Sequence, residues 1–102
     1  MNNILYGYIR VSTTVQNDDR QKIALKNFGV DSRHIFIDKQ SGKDFDRPAY
    51  AALMKKLRPG DILVVPSIDR LGRNYAEIIE QWRIITKDKK VFIVVLDACV
   101  II

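Results

Sequence analysis

The chain has little of what several common kinds of active site require. Its 102 residues include one cysteine, Cys99, and one histidine, His34. One cysteine cannot form an internal disulfide or supply half of a four-ligand zinc site, and its apolar neighbours predict a buried, inert thiol. The acidic residues show no metal-ligand spacing with His34, so we expect no metal and no cofactor.

Long apolar runs are also lacking. No run reaches the roughly 18 residues that a membrane-spanning helix needs, and no signal peptide is visible at the N-terminus. We therefore expect a cytoplasmic protein with no membrane partner. The length predicts one domain, and the formal charge of +5 is compatible with nucleic acid as well as with an ordinary cytosolic domain.

Apolar periodicity predicts that strands and helices alternate. Four apolar runs are predicted strands: residues 4–9, 34–37, 61–65 and 91–96. Between them, apolar residues at helical spacing predict three helices, of which Gly29 ends the first and Pro48 and Pro59 bound the second. The apolar stripe of the third helix consists of Tyr75, Ile78, Ile79, Trp82 and Ile85.

The third and fourth predicted strands are apolar on both faces, as in a parallel sheet that helices cover on both sides. Alternating strands and helices favour right-handed βαβ units. We predict an α/β fold of three layers, with a doubly wound, mainly parallel sheet in the order 2-1-3-4 and flavodoxin-like winding. In such a sheet the functional site lies beyond the carboxyl ends of the strands where the winding reverses, here between strands one and three.

Polar residues leave these two strands at the predicted edge. Arg10 and Ser12 follow strand one, whereas Asp69, Arg70 and Arg73 follow strand three. Together they offer a hydroxyl, a carboxylate and three guanidiniums, and arginine is suited to bidentate capture of phosphate oxygens. The set therefore predicts attack on a phosphodiester.

A third polar segment leaves strand two beside strand one. We predict a loop over residues 38–46, followed by Arg47 directly before Pro48 and the start of the second helix. Backbone N–H groups at a helix start also favour an anion. Arg47 is therefore expected to contact the same phosphate.

Ser12 also has a structural interpretation. Ser12 or Thr13 could cap the first helix, since Thr13 with Gln16 three residues later has the form of a capping box. Convergence with Asp69 and the arginines favours a nucleophile instead. Because His34 is predicted at the far end of the sheet, no Ser-His-Asp triad is expected; arginines would ease formation of the alkoxide and a carboxylate would move the proton.

For the other polar and aromatic residues, the sequence favours a structural role over a role in the site. Lys56 is predicted on a solvated helix face, and Asp61 is predicted as a turn residue that opens strand three, away from the site. The tyrosines and Trp82 fall on apolar stripes, so we predict that they belong to the core rather than to a base-stacking surface.

Three segments, in order along the chain, carry a resemblance to a known family. They are Tyr8-Ile9-Arg10-Val11-Ser12-Thr13 followed by Gln16, residues 35–42 followed by Asp46-Arg47-Pro48, and residues 68–74. Together they resemble the motifs of the serine recombinases, the resolvase/invertase family, and the likeness runs from Leu5 to about Leu96.

The resemblance implies the N-terminal catalytic domain of a site-specific DNA recombinase. In the family a serine attacks the scissile phosphate to give a 5′-phosphoserine link and a free 3′-OH, and religation needs no metal or high-energy cofactor. By position, Ser12 would be the nucleophile and Asp69 would assist proton transfer. Four arginines would bind and activate the phosphate: Arg10, Arg47, Arg70 and Arg73. Six more positions match residues that support the site or its assembly: Gln16, Gln21, Asp38, Ser41, Lys56 and Asp61.

The resemblance also implies partners and a longer protein. Double-stranded DNA would be the substrate, and the full-length protein would form a homodimer and a synaptic tetramer in a bacterial, phage or other mobile-element context. Family members continue into a long dimerisation helix, and most then have a DNA-binding domain. Residues 1–102 are therefore expected to be a truncated catalytic core that does not recombine DNA by itself.

Two other hypotheses stay open at this point. A nucleotide- or phosphate-binding module with a flavodoxin-like fold would use the same crevice, although the chain has no Gly-rich phosphate loop of the Walker type. A recombinase-derived assembly domain without catalysis would have no need for Ser12, Asp69 and four arginines together.

Overall fold

A computed structural model describes most of the chain. The described residues are 3–12, 19–40, 47–72, 74–97 and 100–101. Predictions that concern Thr13, Gln16, Ser41, Arg73 and Cys99 lie outside the described residues.

Strands and helices alternate along the described chain. The parallel strands are β1 (Leu5–Ser12), β2 (Ile35–Gln40), β3 (Ile62–Val65) and β4 (Phe92–Val95). The helices are α1 (Asp19–Phe28), α2 (Pro48–Lys56) and α3 (Tyr75–Arg83), and a π-helical turn extends α3 over Ile84–Asp88. None of the helices in the described ranges is both long enough and apolar enough to cross a bilayer.

The strand order is β2-β1-β3-β4, which confirms the predicted order and the α/β class. A two-residue strand, β5 (Val100–Ile101), extends the sheet by pairing antiparallel with β4. The apolar pattern did not predict this strand, because two residues are too few to show a period.

The first two strands continue further than predicted. Parallel pairing between β1 and β2 runs from Gly7 opposite Ile35 to Ser12 opposite Gln40. Asp38 therefore lies within a strand, opposite Arg10, and not in the predicted loop. The apolar pattern stopped short of these residues because their side chains are polar, although each strand finds its hydrogen-bond partners in the other.

The core lies on both faces of the sheet. Tyr8 packs in one cluster with Leu53 of α2, whereas the next residue, Ile9, packs in a second cluster with Leu25 of α1. Successive side chains of a strand point to opposite faces, so these two clusters establish the three layers. The predicted arrangement of helices on both sides of the sheet is confirmed.

The prediction that all tyrosines belong to the core is wrong for Tyr75, whose exposure is 79%. Tyr75 and Ile79 are one turn apart on α3, and Ile79 is also exposed. Trp82, by contrast, packs against the core, and Ile85 in the π-helical turn is fully buried. Residues one turn apart share a side of a helix, so the predicted stripe was too wide and its Tyr75–Ile79 side faces outwards.

Candidate active site at the carboxyl edge of the sheet

The carboxyl ends of β1 and β3 meet, as the winding order predicts. After β3, a 3₁₀ turn over Ile68–Leu71 carries Asp69 and Arg70. Arg10, near the end of β1, donates from Nη2 to the carbonyl oxygen of Asp69 at 2.9 Å and, more weakly, to that of Gly72 at 3.5 Å. Two segments that are about 60 residues apart in sequence are therefore in direct contact.

Arg47 joins the same segment from the start of α2. Its Nη1 donates to the carbonyl oxygens of Leu71 at 3.1 Å and of Arg70 at 3.4 Å. Arg10 and Arg47 thus both bind the main chain of residues 69–72. A guanidinium has five N–H donors, so these bonds are compatible with contact to a phosphate.

The 3₁₀ turn presents charged side chains around a buried anchor. Leu71 is fully buried and packs in the core cluster on one face of the sheet. The carboxylate of Asp69 is largely exposed; it accepts a hydrogen bond from the hydroxyl of Ser67 and lies 3.6 Å from Nη1 of Arg70. Nε of Arg70 is buried and has no hydrogen-bond partner in the described part of the chain.

Ser12 is the last residue of β1. Its backbone lies two residues beyond Arg10, opposite Gln40 of β2. The structure therefore places Ser12 at the carboxyl edge of the sheet, on the same strand that brings Arg10 to the 3₁₀ turn.

The guanidinium of Arg10 lies within reach of two other positive charges at this edge. Burial lowers the pKa of Arg10, and the positive charges of Arg47 and Arg70 lower it further, while Tyr8 and Asp69 act in the opposite direction. Arginine stays cationic despite such shifts. An anion bound among these side chains would relieve their mutual repulsion.

Asp38 supports the site from the neighbouring strand β2, where it lies opposite Arg10. It is buried at 3% exposure and accepts three hydrogen bonds, from the hydroxyl of Tyr8 at 2.8 Å and from the amides of Ala49 at 2.9 Å and Tyr50 at 3.0 Å. The carboxylate therefore satisfies two N–H groups that the first turn of α2 would otherwise leave unpaired. Because α2 begins directly after Arg47, Asp38 also holds the segment that positions this arginine.

The polar role of Tyr8 was not predicted from the sequence. Burial raises the pKa of Tyr8 above its ordinary value, and the hydrogen bond to Asp38 and the charge of Asp38 raise it further. The hydroxyl consequently stays protonated and donates to the carboxylate. A signal was available: an aspartate directly after three apolar residues of a predicted strand needs hydrogen-bond donors if it is buried.

Two predicted supporting residues lie elsewhere. Asp61 is buried before β3 and accepts hydrogen bonds from the amides of Ile4 at 3.2 Å and Arg58 at 2.9 Å. Lys56 lines an open pocket of about 480 Å³ beside Asp61. Both residues lie at the amino ends of the strands, so the structure does not bring them to Arg10 and Asp69.

Gln21 lies on α1, where its Oε1 is buried without a hydrogen-bond partner among the described residues. His34 lies before β2, at the amino end of the sheet, with its ring 5.2 Å from that of Tyr6. Within the described ranges, no three His, Cys, Asp or Glu side chains gather in a group that could hold a metal ion.

Gly72 allows the 3₁₀ turn to pack closely against α3. A Cβ at this position would lie 2.8 Å from the amide nitrogen of Ile78 and 2.9 Å from Cβ of Glu77. Both atoms belong to a helix and cannot move independently. We expect Gly72→Ala to lower the free energy of unfolding by about 1–3 kcal/mol, measured by urea denaturation, because the turn or α3 must shift.

A matched variant tests why Gly72→Ala is expected to lower the stability. A Cβ at Gly7 would meet Cδ1 of Leu25 at 2.7 Å, which is the mobile end of a side chain. Gly7→Ala is therefore expected to cost less than Gly72→Ala. Equal stability of Gly72→Ala and the unmodified protein would show that the close approach of this turn to α3 is unimportant.

The chain is similar in sequence to known proteins. The family described as "Resolvase, N terminal domain" matches residues 5–100. The chain is 45% identical over 76 residues to the Transposon Tn3 resolvase of Escherichia coli, and 47% identical over 76 residues to the Serine recombinase gin of Escherichia phage Mu. It is 43% identical over 76 residues to a DNA-invertase of Escherichia phage P1.

These alignments cover 74% of this chain but only part of each relative. They span 41% of the Tn3 resolvase, 38% of the phage Mu recombinase and 40% of the phage P1 invertase. The chain thus corresponds to about two fifths of the length of these relatives.

Proposed function

The chain belongs to the resolvase family, whose N-terminal domain it contains, and on that premise we propose that it is the catalytic part of a serine site-specific DNA recombinase. The observation that carries the proposal is the meeting of Arg10, Arg47 and the Asp69–Arg70 pair at the strand edge where Ser12 ends β1. These groups suit the transfer of a phosphodiester to a hydroxyl.

In the proposed reaction, the hydroxyl oxygen of Ser12 attacks the phosphorus of the scissile phosphodiester. The bond from phosphorus to the 3′ oxygen breaks, so the DNA 5′ end becomes a phosphoserine ester and the other end leaves as a 3′-OH. The serine proton is lost and the leaving oxygen gains one, a transfer that Asp69 would assist. Rejoining reverses these steps, so the number of phosphoester bonds is conserved.

The arginines would stabilise the charge that develops on the phosphate. Arg47 and Arg70 repel the charge of Arg10 at this edge, which favours binding of an anion. Arg73 would join them by its position in the family motif. Preorganised cations of this kind contribute most when little rearrangement is needed.

The supporting positions have three different roles in this proposal. Asp38 would support Arg47 through the first turn of α2, whereas Gln16, Gln21 and Ser41 would support the Ser12 edge by their positions in the family motifs. Lys56 and Asp61, at the amino edge, would contribute to stability or assembly rather than contact the phosphate.

The partners are proposals for the whole protein. Double-stranded DNA would be the substrate, the full-length protein would assemble as a homodimer and then as a synaptic tetramer, and the reaction would take place in the cytoplasm. The likeness to a transposon resolvase and to phage recombinases supports a mobile-element context.

Covalent trapping tests the proposed reaction. The full-length protein is incubated with its recombination site carrying a nick that lets the cleaved 3′ end diffuse away. We expect a protein–DNA adduct whose peptide, after digestion with protease and nuclease, carries a 5′-linked phosphodeoxynucleotide on Ser12. The released DNA end should carry a 3′-OH that a polymerase extends.

The assay also distinguishes the alternatives. An adduct on another residue, or a released 3′-phosphate, would contradict the proposed chemistry. Saturable binding of a mononucleotide without any adduct would favour a phosphate-binding module.

A further inference from the structure

The guanidinium of Arg47 lies over the aromatic ring of Tyr50. Its Cζ is 3.9 Å from the ring centroid, well within the roughly 6 Å over which a cation is attracted to the face of an aromatic ring. Tyr50 is buried at 6% exposure, so water does not screen this face strongly. The contact is thus a partly desolvated cation–π interaction of Arg47, a residue that we propose to bind the scissile phosphate.

Tyr50 is itself fixed from three directions. Its hydroxyl donates to Oε1 of Gln81 on α3 at 2.6 Å, and its amide donates to Asp38 at 3.0 Å. Its ring meets the ring of Tyr8 edge-on, with 5.0 Å between the centroids. Tyr50 is therefore held by contacts with α3, β2 and β1 together.

The neutral form of Tyr50 is favoured in this position. Burial raises the pKa of Tyr50 to about 12, although the charge of Arg47 acts in the opposite direction. The hydroxyl therefore keeps its proton and its bond to Gln81 at any physiological pH.

Arg47 transmits this position to the 3₁₀ turn. The same guanidinium that stacks on Tyr50 donates to the carbonyl oxygens of Arg70 and Leu71. The face of a guanidinium is used in stacking and its edge in hydrogen bonding, so both contacts coexist. The Tyr50 ring thereby determines where the edge of Arg47 points.

We propose that Tyr50 is a positioning residue of the active site, whose aromatic face orients Arg47 and, through Arg47, the main chain that carries Asp69 and Arg70. This inference rests on the proposed function, in which Arg47 binds the scissile phosphate. An aliphatic side chain would fill part of the same core volume but would offer no π face to the guanidinium.

The test separates the ring from the hydroxyl in the full-length protein. Tyr50→Phe keeps the aromatic face and loses the bond to Gln81, whereas Tyr50→Leu loses both. Tyr6→Leu is the matched control, because Tyr6 is also a buried tyrosine but packs against His34 at the opposite edge. If Tyr50→Leu does not fold, Tyr50→Met replaces it.

The first readout is the ¹H–¹⁵N resonance of the Arg47 side chain, assigned by its absence in Arg47→Lys. A ring current should shift the Nε–H signal upfield in the unmodified protein and in Tyr50→Phe. The signal should return towards the usual arginine position in Tyr50→Leu and stay shifted in Tyr6→Leu. An unshifted signal in the unmodified protein would overturn the proposed contact, whether or not the protein cleaves DNA.

The second readout is single-turnover cleavage with saturating DNA, at a temperature where all variants are folded. We expect Tyr50→Leu to cleave about tenfold more slowly with unchanged DNA affinity, and Tyr50→Phe to stay within about threefold of the unmodified protein. A purely structural role would give Tyr50→Leu and Tyr6→Leu equal rates, and this result would overturn the inference. Failure of the unmodified protein to cleave would instead refute the proposed function.

Discussion

Replacing Ser12 by alanine is expected to abolish DNA cleavage by the full-length protein, with a loss of roughly 10⁴-fold or more. The hydroxyl is the nucleophile of the proposed reaction, so its removal leaves no atom to form the covalent bond to phosphorus. The arginines at the same edge would still hold the phosphate but could only favour attack by water. Cleavage is measured on the recombination site, and binding is measured in parallel by fluorescence anisotropy.

DNA affinity should change little in Ser12→Ala, because phosphate contacts come mainly from charged side chains. Thr13→Ala is the matched control: it removes the adjacent hydroxyl and should leave cleavage within a small factor of the unmodified protein. If Ser12→Ala cut DNA at the ordinary rate, the proposed mechanism would be wrong. If Thr13→Ala were inactive and Ser12→Ala active, the nucleophile would be Thr13 and not Ser12.

The winding order could be predicted because apolar pattern and chain connectivity are both local properties. Apolar residues on both faces of β3 and β4 indicated a buried parallel sheet, and the helices between strands then limited the topology. From that order, the meeting of Arg10 with Asp69 followed without any knowledge of side-chain contacts. The 2.9 Å bond between Arg10 and the Asp69 carbonyl agrees with that prediction.

The partners of the arginines could not be predicted in the same way. Arg10 and Arg47 bind main-chain carbonyl oxygens, and the direction of those carbonyls depends on the 3₁₀ path of residues 68–71. Turn geometry of this kind results from packing, here the burial of Leu71 and the approach of Gly72 to α3. No periodic pattern in the sequence encodes it.

The polar roles of buried aromatic residues were missed for a related reason. Apolar periodicity assigned Tyr8 and Tyr50 to the core, and both are buried. The pattern records only that the rings are inside, not where their hydroxyls point. Tyr8 donates to Asp38 and Tyr50 donates to Gln81, and both bonds join elements that are distant in sequence.

Asp38 connects three elements of the fold near the site. It lies in β2, and its carboxylate accepts from β1 through Tyr8 and from the first turn of α2 through Ala49 and Tyr50. A buried carboxylate is unfavourable unless it is well hydrogen-bonded, and a negative charge at a helix N-terminus is favourable. All three donors are therefore arranged around one acceptor group.

Asp38→Ala is expected to lower the free energy of unfolding by about 3–5 kcal/mol, measured by urea denaturation. The change leaves a buried hydroxyl and two helix N–H groups without their acceptor, and each unsatisfied group costs about 1–3 kcal/mol, partly offset because no carboxylate is buried any longer. Since small domains are stable by only about 5–15 kcal/mol, a large fraction of the protein could unfold at 37 °C.

Asp38→Asn should lower the free energy of unfolding by less than Asp38→Ala does. An asparagine oxygen can accept from one or two of the donors, but its NH₂ group must then face a donor, so about one hydrogen bond is lost instead of three. Asp31→Ala is the matched control, because that aspartate is exposed and its carboxylate bonds to neighbouring Arg33, and it should have a much smaller effect. In a Tyr8→Phe background, Asp38→Ala should cost about 1 kcal/mol less than in the unmodified protein, since one donor is already gone. Additive losses in that double-mutant cycle would mean that the Tyr8–Asp38 bond contributes nothing to stability.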